Sequence, residues 1–130
     1  MSEGRHRIVN PPELPEPSGY AHAVVAAPGR TIWLGGQTGA GDTMAAQFDD
    51  AATSLVVALR AAGGRPDDLV SLVVYATDLD EYRKAMGELG EVWRRHFGRR
   101  YPAVALIGVS GLADPEARIE LMGVAVVADG

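Results

Sequence analysis

Two apolar segments near the C-terminus limit what this chain can fold into. Residues 101–110 and 117–127 are rich in small and β-branched apolar side chains, and turn-forming residues separate them. Such segments are typical of β-strands, so we predict two adjacent strands joined through residues 111–116. A carboxylate interrupts the second segment at Glu120. Because an ionised carboxylate in an apolar strand is unfavourable unless it is exposed, paired or used, Glu120 is the first candidate functional residue.

The composition favours one compact domain and excludes several kinds of site. The chain has 130 residues, of which 47% are hydrophobic, which is enough for a single core but small for two domains. It contains no cysteine, which excludes disulfides, thiolate zinc sites and cysteine nucleophiles. No apolar run approaches the roughly 18 to 20 residues of a membrane span, and the N-terminus has no apolar signal segment. We therefore expect a cytoplasmic protein without membrane contact.

The charge argues against a nucleic-acid surface. The formal net charge is −5, whereas phosphate binding needs clustered cations. One basic run is the exception, at residues 94–96 and 99–100. A basic run at the end of a helix is ordinarily solvated and complements the helix dipole, so we expect no nucleic-acid partner.

The N-terminal half predicts an arm, a hairpin and a helix. Residues 1–19 carry four prolines and no periodicity, which predicts an irregular arm before a single domain of residues 20–130. Residues 21–27 and 31–36 predict a β-hairpin. A helix follows, capped by Asp42 or Thr43. Its buried stripe at helical spacing is Phe48, Ala52, Leu55, Leu59 and Ala62.

A second helix is predicted after an apolar strand at residues 69–77. Asp78 with Glu81 resembles a capping box, and Gly98 would end the helix after Phe97. The predicted inner stripe is Tyr82, Met86, Leu89, Trp93 and Phe97. Gly87 and Gly90 each weaken this helix by roughly 1 kcal/mol relative to alanine, which suggests a packing or ligand-binding reason for them.

The order of elements, ββαβαββ, predicts an α+β fold. We expect a mixed sheet of about six strands with two helices on one face. The other face would then be uncovered, although apolar residues alternate along several strands. A bare apolar face is usually buried against another subunit, so we expect a homo-oligomer.

Several short segments together resemble the Rid family, the reactive intermediate deaminases also called YjgF proteins. The matching segments are YAHAV at 20–24, WLGGQ at 33–37, AAGG at 61–64, VYATD at 74–78, PA at 102–103 and IE at 119–120. The resemblance covers nearly the whole chain beyond about residue 8. It implies a chorismate-mutase-like fold and a homotrimer with small-molecule ligand clefts between subunits. It further implies hydrolysis of enamines and imines to ketoacids and ammonia, without a metal or organic cofactor.

The resemblance also implies roles for individual residues. Tyr20 matches the tyrosine that borders the cleft, Gly36 the glycine whose N–H meets the ligand carboxylate, and Glu120 the acid that positions a water. The departure is Val104, which stands where deaminating members have an arginine that binds the substrate carboxylate. A valine has neither the charge nor the five donors of arginine. The turn at 114–116 and the long second helix resemble the subgroups that lack this arginine.

Other candidates have both a functional and an ordinary structural interpretation. Gly35 and Gly36 either let a ligand approach the backbone or form a tight strand end. Gln37 is a ligand contact or a turn residue, and Trp93 is a core residue or an apolar wall beside Val104. Ala105 is a further candidate cleft residue, whereas His22 is interpreted as a surface histidine rather than a base. For Glu120, the structural alternative to a catalytic role is a salt bridge with Arg118 on the same face of the strand.

Two functions from different classes remain open. The first is an enzyme acting on imines, enamines or related carbonyl compounds with a neutral or apolar substrate, by hydrolysis, dehydration or cyclisation. In this enzyme Glu120 would serve as the general base or would hold a water, and a neutral or apolar pocket would fit a biosynthetic role. The second is a non-catalytic trimeric module that binds small molecules. An endoribonuclease is a weaker third option, because the chain is acidic and has no paired histidines or evident metal-ligand cluster.

Overall fold

The computed structural model describes residues 6–130, which form six strands and three α-helices. The elements are β1 Arg7–Val9, β2 Ala23–Val25, β3 Gly29–Thr38, α1 Met44–Ala61, a 3-10 turn Pro66–Asp68, β4 Leu69–Ala76, α2 Leu79–Lys84, α3 Met86–Phe97, β5 Ala103–Gly108 and β6 Ile119–Ala128. The α+β class is confirmed. None of the helices in this part of the chain is long and apolar enough to cross a membrane.

The strands form two sheets. β1 and β2 make an antiparallel pair, and the other four strands lie in the order β3-β6-β4-β5. β6 is antiparallel to both of its neighbours, whereas β4 and β5 are parallel. The prediction that the two C-terminal strands are adjacent was therefore wrong, because β4 lies between them. The parallel β4–β5 pair instead needs a crossover, which α2 and α3 supply.

The N-terminal segment also differs from the prediction. Residues 7–9 are not irregular but form β1, and the predicted hairpin is absent, because β2 pairs with β1 and β3 pairs with β6. Buried His6 explains why so short a strand is held. Its Nδ1 accepts a hydrogen bond from the Ala27 N–H at 2.9 Å, and its Nε2 donates to the Val126 carbonyl at 2.7 Å. Arg100 donates to the His6 carbonyl at 2.7 Å.

The predicted helix ends are confirmed, but the second helix is interrupted. Thr43 caps α1 by accepting a hydrogen bond from the Ala46 N–H, and Asp78 caps α2 through the Glu81 N–H. The interruption is at Ala85, which separates α2 from α3. Gly87 and Gly90 follow this break closely, and their low helix propensity weakens the segment there.

The core lies between one face of the four-stranded sheet and the helices. Its largest fully buried side chains are Phe48, Met44, Leu55, Leu59, Leu72, Ile119, Leu121 and Val74. The predicted stripe of α1 is buried except for Ala62, and of the second stripe Leu89, Trp93 and Phe97 are buried. Met86 is largely exposed because it lies at the start of α3, at the mouth of a cleft.

No helix of residues 6–130 packs on the opposite face of this sheet, which is uncovered except around Val126, whose side chain is 7% exposed. Trp33, which is 79% exposed, stands on it, as do Ile107 and Met122. The pairing register places Tyr75 and Glu120 on the same face, opposite Leu121 and its buried neighbours. The protein therefore presents a partly apolar sheet face that carries one acidic residue near its edge.

Buried Gln47 connects α1 to two loops. Its side-chain amide donates to the carbonyls of Gly41 and Glu116, at 3.1 and 3.2 Å, and its Oε1 accepts from the Arg118 N–H at 2.7 Å. These loops border a polar depression of about 590 Å³. Gln47 thus fixes the chain immediately before β6.

Candidate functional site

An apolar cleft of about 370 Å³ opens between α3 and β5. It is lined by Ser18, Gly19, Tyr20, Phe48, Tyr82, Met86, Leu89, Gly90, Trp93, Tyr101, Val104 and Leu106. These lining residues, all within the described range, include no charged side chain. The cleft brings together three of the predicted site residues, Tyr20, Trp93 and Val104. A valine at 104 thus leaves the wall apolar where an arginine would make it cationic.

Trp93 forms a rigid wall of this cleft. Its ring lies 4.7 Å from that of Phe97, 5.5 Å from that of Tyr101 and 6.4 Å from that of Phe48, measured between centroids. The residue is 7% exposed. Among residues 6–130, its Nε1 is the buried side-chain nitrogen or oxygen that lacks a hydrogen-bond partner. Trp93 and Val104 therefore line the same cleft, and the indole N–H has no partner among the described residues.

Tyr20 reaches the cleft because the preceding arm is tied to β5. The Ala21 N–H donates to the Pro102 carbonyl at 2.9 Å, and Ala21 forms a parallel bridge with Ala103. His22 packs edge-on against Tyr20, and its Nε2 donates to the Pro15 carbonyl at 2.7 Å. His22 therefore holds the arm, in agreement with its ordinary structural interpretation.

Glu120 lies apart from the cleft, against Gly36. The register of β3 against β6 shifts between Leu34 and Gln37, so Gly35 and Gly36 form a β-bulge. A Cβ placed on Gly36 would contact the carboxyl group of Glu120, 2.8 Å from its Cδ, whereas one on Gly35 would have open space. Glycine is thus required at 36 for the carboxylate to occupy its position.

The expected alternative partner of Glu120 is engaged elsewhere. Arg118 donates to the Glu81 carboxylate at 2.8 Å and to the Asp42 carbonyl at 3.0 Å. The structural alternative for Glu120, a salt bridge with Arg118, is therefore not formed. Within residues 6–130 no hydrogen bond to the Glu120 carboxylate is formed, which leaves its oxygens able to hold a water or a ligand.

The two groups of candidate residues lie on opposite faces of the sheet. Val104 pairs with Leu72, which faces the helices, whereas Glu120 pairs with Tyr75 on the uncovered face. β6 and β5 are two strands apart, roughly 10 Å. Glu120 and the cleft of the same chain therefore cannot act on the same atom of a small ligand.

The two remaining predicted residues, Ala105 and Gln37, lie outside both the cleft lining and the contact between Glu120 and Gly36. Ala105 borders a shallow pocket of about 260 Å³ that also includes Tyr20 and Val104. Gln37 pairs with Leu121 and so lies on the helix side of β3, away from Glu120. The sequence interpretation missed Tyr82 and Tyr101 as cleft residues, whereas it gave Gly90, which also lines the cleft, a packing or ligand-binding reason. The signal for Tyr82 is its place in the apolar stripe of the second helix, and Tyr101 has no signal of its own beyond its position at the start of an apolar strand.

Two pKa shifts describe the surroundings of the helices. Burial raises the pKa of the Tyr82 hydroxyl, which therefore stays protonated in the cleft. On the outer surface, the hydrogen bond from His96 Nε2 to Asp49, at 2.5 Å, lowers the pKa of that carboxyl. Nowhere in the described range do three His, Asp or Glu side chains group to hold a metal ion.

Comparison with known proteins identifies the family. Residues 13–127 match the family described as Endoribonuclease L-PSP. No match is found among curated proteins. Solved structures of three bacterial proteins are similar to this chain, from Yersinia pestis, Mycobacterium tuberculosis and Neisseria meningitidis.

The similarity to these structures extends over whole chains. The Yersinia pestis protein, of unknown function and of the conserved Rid family, is 29% identical, covers 94% of this chain and 98% of its own, and has a TM-score of 0.82. The Mycobacterium tuberculosis member of the YjgF/YER057c/UK114 family is 31% identical, with coverages of 94% and 99% and a TM-score of 0.67. The Neisseria meningitidis YjgF protein is 28% identical, with coverages of 98% and 99% and a TM-score of 0.67. The chain therefore belongs to the Endoribonuclease L-PSP family, the family of the Rid and YjgF proteins.

Proposed function

We propose that this protein acts on imines, enamines or related carbonyl compounds whose recognised part is neutral or apolar, by hydrolysis, dehydration or cyclisation. The observation that carries the proposal is the uncharged cleft, in which Val104 stands where the Rid resemblance expects an arginine. Without that cation, a substrate carboxylate would lose its only charged partner and would be desolvated in an apolar wall. Hydrolysis of 2-imino acids such as 2-aminoacrylate is therefore a poor fit.

The chemistry assigned to Glu120 follows from its environment. The carboxylate has no competing hydrogen bond among residues 6–130, and the bulge at Gly36 lies beside it. In the hydrolytic case, the water oxygen bonds to the imine carbon while Glu120 accepts a proton and returns it to the nitrogen. Collapse of the resulting carbinolamine breaks the carbon–nitrogen bond, a second proton passes from oxygen to nitrogen, and ketone and amine are released. The Gly36 N–H is assigned to the developing negative charge on oxygen.

A complete site then requires a second subunit. Glu120 and the cleft lie on opposite faces of one sheet, and the face that carries Glu120 is uncovered. We assign this face to the interface of a homotrimer, in which Glu120 of one subunit meets the cleft of another. Light scattering should give three times the subunit mass of 13.7 kDa. A monomer mass at micromolar concentration would refute this assembly.

The first test is the variant Glu120→Gln, assayed on a panel of neutral imines and enamines. Glutamine keeps the size of the side chain and removes the base, so turnover should fall by about 10²- to 10⁴-fold. Glu116→Gln is the matched control, since it removes a carboxylate from the exposed loop before β6. Full turnover by Glu120→Gln on any substrate would refute the catalytic assignment and favour the binding module.

The shared site has a sharper test in mixed oligomers. Val104→Arg would place a cation in the cleft and abolish turnover of a neutral substrate, as Glu120→Gln would by removing the base. When the two inactive variants are mixed and reassembled, a subunit pair can contribute an intact Glu120 and an intact Val104. Recovered turnover is expected if the site spans two subunits. Mixtures as inactive as their parents would show that each site lies in one subunit.

A further inference from the structure

The cleft has a more specific chemistry than that of an apolar groove. Five of its lining side chains are aromatic, namely Tyr20, Phe48, Tyr82, Trp93 and Tyr101. Aromatic walls favour flat unsaturated groups, which stack or make edge contacts with the rings. The volume of about 370 Å³ lies at the lower end of the range of small-molecule sites, so a compound with a single ring suits it.

Trp93 adds a directional requirement. Its indole N–H is a donor only, and buried polar groups are nearly always hydrogen-bonded. In the described part of the chain this nitrogen has no acceptor, although the ring is held by Phe48, Phe97 and Tyr101. Three such contacts keep the indole from turning towards another acceptor. The missing acceptor is therefore expected from a bound molecule.

The same donor selects between the two classes of ligand that aromatic clefts bind. Quaternary ammonium ions are held by aromatic faces, usually without a donor in the wall. Here a lining residue carries an N–H without a partner in the described chain, and the lining contains no carboxylate. A neutral molecule that carries an acceptor satisfies the donor, whereas a cation does not.

We infer that this cleft binds a flat, uncharged, conjugated carbonyl compound, with its ring between the aromatic walls and its carbonyl oxygen accepting from Trp93 Nε1. This inference rests on the proposed function, since it specifies the substrate class of the same cleft. The nitrogen is buried. Binding therefore moves a lining side chain aside, and the largely exposed Met86 lies at the mouth.

The experiment measures binding of benzylideneacetone, a neutral conjugated ketone, by ligand-observed NMR titration. Its comparison compound is the hydrocarbon in which a methylene group replaces the carbonyl oxygen. The wild-type oligomer should bind the ketone about tenfold more tightly than the hydrocarbon. In Trp93→Phe, which keeps a ring but removes the donor, the two compounds should bind equally. Val57→Ala, on the exposed surface of α1 and outside the cleft lining, should keep the ketone preference.

Charged analogues test the class of ligand. Cinnamate has nearly the same shape with a carboxylate, and phenyltrimethylammonium has a ring with a cation, so both should bind at least tenfold more weakly than the ketone. A ketone preference that persists in Trp93→Phe would overturn the assignment of the donor. Equal binding of either ion would overturn the uncharged class. No binding of any probe, with cleft signals that change only on dilution, would assign the cleft to a second copy of the chain.

The outcome for the proposed function is separable. Suppose that Glu120→Gln still binds the ketone and that the wild type turns over no imine. The inferred ligand class would then stand, and the proposed enzymatic function would be refuted. Turnover of neutral imines without ketone binding in the cleft would support the proposed enzymatic function and refute the inferred ligand class.

Discussion

Replacing Gln47 by leucine should destabilise the protein by a measurable amount. The side chain is 4% exposed and makes three hydrogen bonds. Two of its partners, the carbonyls of Gly41 and Glu116, belong to residues that border the polar depression and can turn to water. The Arg118 N–H is the partly buried partner, and leaving such a donor unsatisfied costs about 1 to 3 kcal/mol. Leucine has a similar volume, so the packing contribution is small.

The expected loss is therefore about 2 kcal/mol, a substantial part of the 5 to 15 kcal/mol typical of a domain. For a chain of this size it corresponds to a fall in Tm of about 8 °C. Urea unfolding, followed by circular dichroism, should show a lower midpoint with an unchanged m-value. Thr53→Ala is the control on the same helix. The Thr53 hydroxyl donates to the Asp49 carbonyl at an exposed site, so the loss of this hydrogen bond should change the free energy of unfolding by less than about 0.5 kcal/mol. A value for Gln47→Leu inside that same limit would refute the reasoning.

Two further predictions concern the bulge and the outer helix surface. Gly35→Ala should stabilise the fold by about 0.4 to 1 kcal/mol, whereas Gly36→Ala should lose this gain because its Cβ displaces the Glu120 carboxylate. The gain should return in a Gly36→Ala variant that also carries Glu120→Ala, as urea unfolding will test. The lowered pKa of Asp49 should contribute stability above the ordinary pKa of an aspartate, near about pH 4, and lose it as the pH falls through the lowered value. Thermal unfolding of Asp49→Asn should accordingly differ from wild type near neutral pH and converge with it in acid.

Each of these has a contrary result. Equal effects of alanine at 35 and 36 would mean that the carboxylate does not pack on the bulge. A pH profile of Asp49→Asn parallel to that of wild type throughout would mean that the hydrogen bond from His96 does not affect stability.

The local elements could be predicted because their signals lie within a few residues. Thr43, Asp78 and Gly98 occupy the ends of helices where a side-chain acceptor or a positive φ is needed, and Gly98 has φ of 75°. Each of these residues acts on backbone groups one to four positions away. The interruption at Ala85 was not predicted, because the apolar spacing continues across it.

Strand pairing could not be predicted in the same way. Residues 101–110 and 117–127 are close in sequence, which favours a hairpin, but β4, at Leu69–Ala76, lies between them in the sheet. The strand at residues 7–9 has no pattern of its own and depends on His6, whose partners are Ala27 and Val126. Such partners are distant in sequence and are set by the finished fold.

The candidate site could be predicted by residue but not by position. Alternation of Ile119, Glu120 and Leu121 indicates that the acid faces away from the core. It does not tell on which face Val104 lies, because that depends on the register between β4 and β5. The sequence therefore predicts both the cleft residues and Glu120, but it does not show that they lie on opposite faces of the sheet.

The separation of the two groups by the sheet bears on how such a protein can change its substrate. A substitution at Val104 or Trp93 alters the cleft without contacting Glu120 or the glycine bulge, because the backbone layer of the sheet lies between them. Within one chain, mutations that reshape recognition are thus separated from the reactive groups, and any coupling between them passes through the contact between subunits. Divergence within this architecture can proceed by replacing one surface of the sheet at a time, with the other inherited unchanged.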